Sequence, residues 1–251
     1  MKALIFTTII LVQAGFSFGQ DSTGTSEWFR SKSLPELCDT FRTDKCPDRH
    51  NFLEVYEPLF EPMRDDSIRF FEIGILTGLS HLMWVNYFQN AEVFGIDIKD
   101  YSAAAAGSGI QTFVADQSNR QDLYAFMRAS GANFDVILDD GGHAMDHQQI
   151  SLGCMFQAVK PGGMFIIEDV HTSLPEFYPD SSFHVDRLET NTTLLMIEAF
   201  IRTGKIYSEY MLPVEAEYLE QTIDRIELHY LFNERHSIVC VIHKKEAIEP
   251  R

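Results

Sequence analysis

Basic residues are scarce in this sequence. The 251-residue chain holds 20 Lys and Arg against 37 Asp and Glu, for a formal net charge of −17. It therefore lacks the cationic field through which nucleic acid and anionic lipid are bound. A small or neutral substrate is the expected partner, with homo-oligomerisation open. Long apolar runs are also missing. The longest candidate, Ala3 to Val12, is interrupted by Gln13, well short of the roughly 20 apolar residues that span a bilayer. Lys2 before that run and the small residues Ser17 and Gly19 after it read as a cleaved secretory signal over residues 1–19. The expectation is a secreted or secretory-lumen protein with no stable membrane insertion after cleavage; an uncleaved anchor is the alternative. Cysteine is limited to four residues. Cys38 and Cys46 flank a short polar loop and can pair in an exported chain, whereas Cys154 and Cys240 lie in apolar patterns and read as buried thiols. The sequon Asn191-Thr192-Thr193 falls in a helical pattern and carries little weight. There is no repeat, no low-complexity block and no Gly-x-Gly-x-x-Gly.

What is present suffices for one large core, since 45% of the residues are hydrophobic and 12% aromatic. After a polar stretch from Gln20 to Ser33, short β-rich runs alternate with helical spacing. Strands are expected at Arg69–Gly74, Glu92–Ile98, Gln111–Ala115, Phe134–Asp139 and Met164–Glu168. Helices are expected at Leu79–Phe88, Asn119–Ala129 and Met145–Val159. Right-handed crossovers then give a doubly wound, mostly parallel α/β sheet. The runs "TIDRIELHYLF" and "HSIVCVIHKK", joined through Asn233-Glu234-Arg235, read as an antiparallel hairpin that completes seven strands. A parallel sheet closed this way is the pattern of class I methyltransferases. The domain plan is a signal at 1–19, an amino-terminal lid segment at 20–66 and the sheet domain at 67–245. Residues 174–204, with Phe177, Tyr178 and Phe183 ahead of an amphipathic helix, form a substrate cap.

In open α/β sheets the ligand lies at the carboxyl ends of the strands. Gly74 and Gly78 border the turn after the first strand, where backbone amides can approach a ligand, and Glu72 precedes it within reach of an ammonium or a water network. Asp97 ends the second strand 23 positions after Gly74, the place of a carboxylate that accepts from both ribose hydroxyls. Asp116 and Gln117 follow the third strand and would flank an adenine. An acidic residue after a strand is often only a helix cap, but three in register favour a nucleoside ligand.

The segments "SHLMWVNYF", "GIDI", "ADQ", "DDGGH" and "IIEDVHTS", together with "LCDTFRTDKCPDRHNFLEVYEPLF", resemble the metal-dependent O-methyltransferases of macrolide and rhamnosyl sugars and the related cephalosporin-hydroxylase-like proteins, over roughly Leu34 to Ser173. The resemblance implies S-adenosylmethionine and Mg²⁺ as cofactors and a sugar or glycoside hydroxyl as acceptor. Asp140, Glu168 and Asp169 stand at the family's metal positions and His143 at its general base. Carboxylates gathered so closely are costly unless a cation joins them; hard oxygen ligands suit Mg²⁺, and an imidazole titrates near working pH. Asp139 reads as a supporting or cofactor-side carboxylate. The resemblance also makes Asp44, Lys45, His50 and Tyr56 a lid over the cofactor, with a solvated loop as the alternative. His147 and His171 are weaker candidates. Gly142 departs from the family, which often has Ser there, and the loop after Gly74 is shorter than in the macrolide enzymes. Two rival readings are a secreted or luminal binding protein with this fold but no turnover, and a cephalosporin-hydroxylase-like oxidoreductase, for which no His-rich iron triad is evident in the sequence.

Overall fold

The computed structural model describes residues 27–175, 191–232 and 235–247. The expected signal segment and the aromatic part of the cap, with Phe177, Tyr178 and Phe183, lie outside them.

The described chain begins with helices α1 (Glu27–Arg30), α2 (Leu34–Phe41) and α3 (Leu53–Phe60). Ser33 starts α2 because its hydroxyl accepts from the Glu36 amide while the Glu36 carboxylate accepts from the Ser33 amide, a reciprocal cap. Then follow β1 (Arg69–Ile73), α4 (Leu79–Tyr87), β2 (Glu92–Asp97), α5 (Ser102–Ala105), β3 (Ile110–Val114), α6 (Arg120–Ser130) and β4 (Phe134–Asp139). Next come α7 (Met145–Met155), β5 (Val159–Ile167), α8 (Thr193–Thr203), α9 (Pro213–Thr222), β6 (Ile223–Leu231) and β7 (Ser237–Lys244). A 3₁₀ turn, Phe156–Ala158, ends the segment expected to be one longer helix.

The seven strands lie in the order β3-β2-β1-β4-β5-β7-β6. All neighbours are parallel except β5 with β7 and β7 with β6. The order reverses between β1 and β4, so a crevice opens at the carboxyl ends of the central strands. The sheet is buried on both faces because successive side chains alternate sides. Phe70, Val93, Val136, Leu138, Ile166 and Val241 join Leu37, Tyr56, Met83 and Trp84 from α2, α3 and α4. Phe71, Phe94, Ile137, Phe165 and Ile242 join Phe126, Leu152, Ile197 and Leu219 from α6 to α9. Fully burying each such side chain contributes about 1.5–3 kcal/mol.

β5 starts earlier than expected. Val159 pairs with Phe134, and the register then jumps to Met164 opposite Val136, so Lys160-Pro161-Gly162-Gly163 is accommodated as an irregularity within the strand. Cys38 and Cys46 are joined by a disulfide, and Cys154 and Cys240 are free and buried. Asn191 is buried as well. Among the described residues no helix is long and apolar enough to cross a membrane.

Candidate active site

The register aligns the ends of the parallel strands. Ile73 pairs with Ile96 and with Asp139, Asp97 with Val114, and Asp139 with Ile167. The residues that follow them line a cleft of about 650 Å³, among them Gly74, Asp97, Asp116, Gln117, Asp140 and His143.

The floor of the cleft is a close backbone crossing. The Asp140 amide donates to the Ile73 carbonyl at 3.0 Å, and Gly74 has φ 93°; a Cβ on it would lie 2.2 Å from the Asp140 carbonyl oxygen. Only glycine combines that φ with that approach. Gly74→Ala is expected to cost about 2–5 kcal/mol, from left-handed strain and overpacking together, measured by urea denaturation; a variant of unchanged midpoint would show that the two loops part easily. Gly78, at φ 72°, starts α4.

Asp97 braces this turn: its Oδ2 accepts from the amides of Ile75 (2.9 Å) and Leu76 (3.3 Å), and its Oδ1 from Lys99 (3.0 Å). Asp116 accepts from the Ser118 amide and hydroxyl. Gln117 ties two strand ends, donating to Asp139 at 3.0 Å and accepting from the Gly142 amide at 2.6 Å. Asp139 is buried, accepts from Gln117, Ser151 and the Gly141 amide, and has its carboxyl pushed above the ordinary range by burial. It shapes the turn from behind and does not line the cleft.

Lys45 departs most from expectation. It is fully buried, not part of a lid, and its ammonium lies 2.5 Å from Asp140 Oδ2, 3.0 Å from Glu168 Oε2 and 3.4 Å from Glu72 Oε1. Burial opposes its charge, yet Asp140, Glu168, Glu72 and Asp44 hold its pKa well above the ordinary value. Tyr56, also fully buried, donates to Glu168 Oε1 at 2.6 Å. Glu72 reaches an ammonium as expected, but a protein one; it is buried below the cleft, where it also accepts from Trp84 and Ser80. Burial pushes the Asp140 carboxyl up to about 7 against the pull of Lys45, and raises Glu168 well above its usual value with help from Asp140.

The three carboxylates expected to form one set are therefore divided. Glu168 belongs to Lys45 and Tyr56, while Asp140, His143 and Asp169 bring one ligand atom each within 4.8 Å of one another. His143 Nε2 lies 3.4 Å from Asp169 Oδ2. His143 (φ 54°) and Asp169 (φ 53°) both hold left-handed backbones, a conformation uncommon outside glycine, and the Thr172 hydroxyl pins the His143 carbonyl at 3.0 Å. His147 sits on α7, whereas His143 precedes the helix; a Cβ at Gly142 would lie 2.1 Å from His147 Nδ1. The space of the serine common in the resembling family is thus filled here by an imidazole. Sequence reasoning gave no central role to Lys45 or Thr172, and neither carries a local pattern that reports it.

Strand order, parallel core and terminal hairpin define a class I methyltransferase fold. No known family profile matches the sequence, but curated relatives do. The chain is 35% identical over 156 residues to demethylmacrocin O-methyltransferase of Streptomyces fradiae, covering 59% of this chain and 39% of that protein. It is 31% identical over 190 residues to 8-demethyl-8-alpha-L-rhamnosyl tetracenomycin-C 2'-O-methyltransferase of Streptomyces olivaceus, covering 72% and 48%. The MycE methyltransferase of the mycinamycin biosynthetic pathway, solved with Mg and SAH, superposes with a TM-score of 0.69 at 26% identity, over 88% of this chain and 57% of that one. The chain is homologous to sugar and macrolide O-methyltransferases, and it spans less than half the length of these curated relatives.

Proposed function

We propose that the protein is an S-adenosylmethionine-dependent O-methyltransferase that uses Mg²⁺ and acts on a hydroxyl of a sugar or glycosylated metabolite. The observation that carries this reading is the cleft at the strand ends, which runs from Gly74 and Asp97 to Asp140 and His143. The cleft is long enough to hold a nucleoside at one end and a reacting hydroxyl at the other.

A divalent cation fits the far end. Asp169 Oδ1 is buried with no hydrogen-bond partner, and Asp140 and Asp169 offer the hard oxygens that Mg²⁺ prefers. Glu168 joins them only where Lys45 gives way. When bound, the cation lowers the pKa of an acceptor hydroxyl and orients it. His143, a nitrogen donor less suited to Mg²⁺, is then left to take the hydroxyl proton at Nε2, with Asp169 holding the ring and Thr172 fixing the backbone behind it. Asp97 accepts from the ribose, and the amides around Gly74 receive the rest of the cofactor. The transfer itself needs little beyond alignment and charge stabilisation.

We also read the chain as exported. The amino-terminal pattern supports this, as does the Cys38–Cys46 disulfide, which suits an oxidising compartment. An exported methyltransferase needs its cofactor supplied in the lumen, and this keeps a binding protein without turnover as the second reading.

Calorimetric titration with S-adenosylmethionine, with and without Mg²⁺, followed by methyl transfer to a panel of glycosides, tests both. Binding with turnover supports the enzyme, binding alone supports the second reading, and absence of binding sinks both. Asp97→Ala is expected to weaken cofactor affinity by about 1.5–3 kcal/mol, the scale of hydrogen bonds to a charged acceptor. Unchanged affinity in a folded variant would remove the ribose assignment.

A further inference from the structure

A second donor group lies on the other side of Asp169. His50 Nδ1 is 3.5 Å from Asp169 Oδ1, and His171 Nδ1 is 3.7 Å from the same oxygen. The three ligand atoms lie within 4.8 Å of one another. Two donors on a tetrahedral ion with bonds of about 2.0–2.1 Å stand about 3.4 Å apart, so both spacings are within a few tenths of an ångström of a shared ion. The left-handed backbone of Asp169 directs Oδ2 toward His143 and leaves Oδ1, buried and without a hydrogen bond, toward these two imidazoles.

We propose that His50, His171 and Asp169 form a binding site for a borderline divalent transition ion of the Zn²⁺ class, distinct from the oxygen-rich position at Asp140. Two imidazoles and one carboxylate favour such an ion over Mg²⁺ and leave coordination positions open. Asp169 bridges the two positions. The ion would clasp the loop ahead of α3, which carries His50, to the 3₁₀ turn Val170–Ser173 after β5, which carries His171. The site has a built-in competitor. His50 Nδ1 lies 2.8 Å from Ser237 Oγ and its Nε2 3.1 Å from Arg235 Nη1. An imidazole that ligates through Nδ1 carries its proton on Nε2, so the exposed Arg235 must turn aside on metal uptake.

The inference does not rest on the methyl-transfer reading, and its test needs no substrate. Untagged full-length protein is titrated with Co²⁺ as the probe, and visible absorption reports nitrogen ligation. One equivalent is expected to bind, to be displaced by Zn²⁺ and to resist excess Mg²⁺. His50→Ala and His171→Ala should each weaken Co²⁺ binding by more than about tenfold, as loss of one of three ligands does. Asp140→Asn should leave it in place, and Arg235→Ala should strengthen it. Should either histidine variant fail to fold by circular dichroism, Arg235→Ala and Asp140→Asn decide the matter. Absence of Co²⁺ binding by the folded protein overturns the proposal. So does binding that survives both histidine replacements, that is lost with Asp140→Asn, or that is unchanged in Arg235→Ala.

Discussion

Lys45→Met is expected to cost about 3–5 kcal/mol of folded stability, the effect of stripping buried charges of their partner. Glu72, Asp140 and Glu168 would be left facing one another with no cation between them. The loss should depend on pH with a definite sign. Burial already pushes Asp140 up to about 7 and Glu168 well above its usual value, and without the ammonium both rise further in the folded chain than in the unfolded one. A group whose folded pKa is raised contributes fully below its unfolded pKa and loses that contribution as pH rises through the folded one. The variant should therefore recover stability relative to the parent as pH falls from about 8 toward 5. Mg²⁺ should also stabilise the variant more than the parent, by about 2.7 kcal/mol at a hundred times its Kd. Urea midpoints across pH and Mg²⁺ concentration measure all of this. A variant as stable as the parent, or one indifferent to Mg²⁺, would mean that Lys45 is not the resident counter-charge of the site.

His143→Ala carries the other large effect. Loss of a positioned base should lower single-turnover methyl transfer by roughly 10² to 10⁴, while cofactor and Mg²⁺ affinity stay close to those of the parent. The residual rate should climb with pH as hydroxide takes over the proton. Replacing Asp140 or Asp169 by Asn should instead act through Mg²⁺ affinity and be partly restored by excess Mg²⁺. A His143 variant that loses the metal while the carboxylate variants keep it would reverse the assigned roles.

The sheet was legible because its residues carry local patterns. Phe134–Asp139 matches the structure residue for residue, since an unbroken apolar run stops at a carboxylate. β5 was read five residues short at its start because Pro161-Gly162-Gly163 has the composition of a turn, and only pairing with β4 keeps it in the sheet. Helix α7 was read too long because nothing in "MFQAV" announces the tightening into a 3₁₀ turn. The candidate site divides the same way. Residues that follow strands were found by position, since the fold aims every such residue at the cleft. Lys45 was not, because its neighbours Thr43, Asp44, Pro47 and Asp48 spell a solvated loop. Its partners Asp140 and Glu168 are 95 and 123 positions away. The division of Asp140 and Asp169 from Glu168 follows from that one ammonium, and so was equally hidden.

The order of the last three strands bears on how the chain is assembled during synthesis. β6 is made before β7 yet touches the sheet only through it: β7 pairs with β5 on one side and β6 on the other. Until residues 237–244 have left the ribosome, β5 presents the apolar backbone edge Met164–Ile167, and β6 has no neighbour in the sheet. An uncovered edge of that kind templates pairing with other chains, and long-range pairing of this sort is slow to form. Completion of the fold thus waits on one late strand, and nascent or truncated chains lacking it are the species most in need of a chaperone.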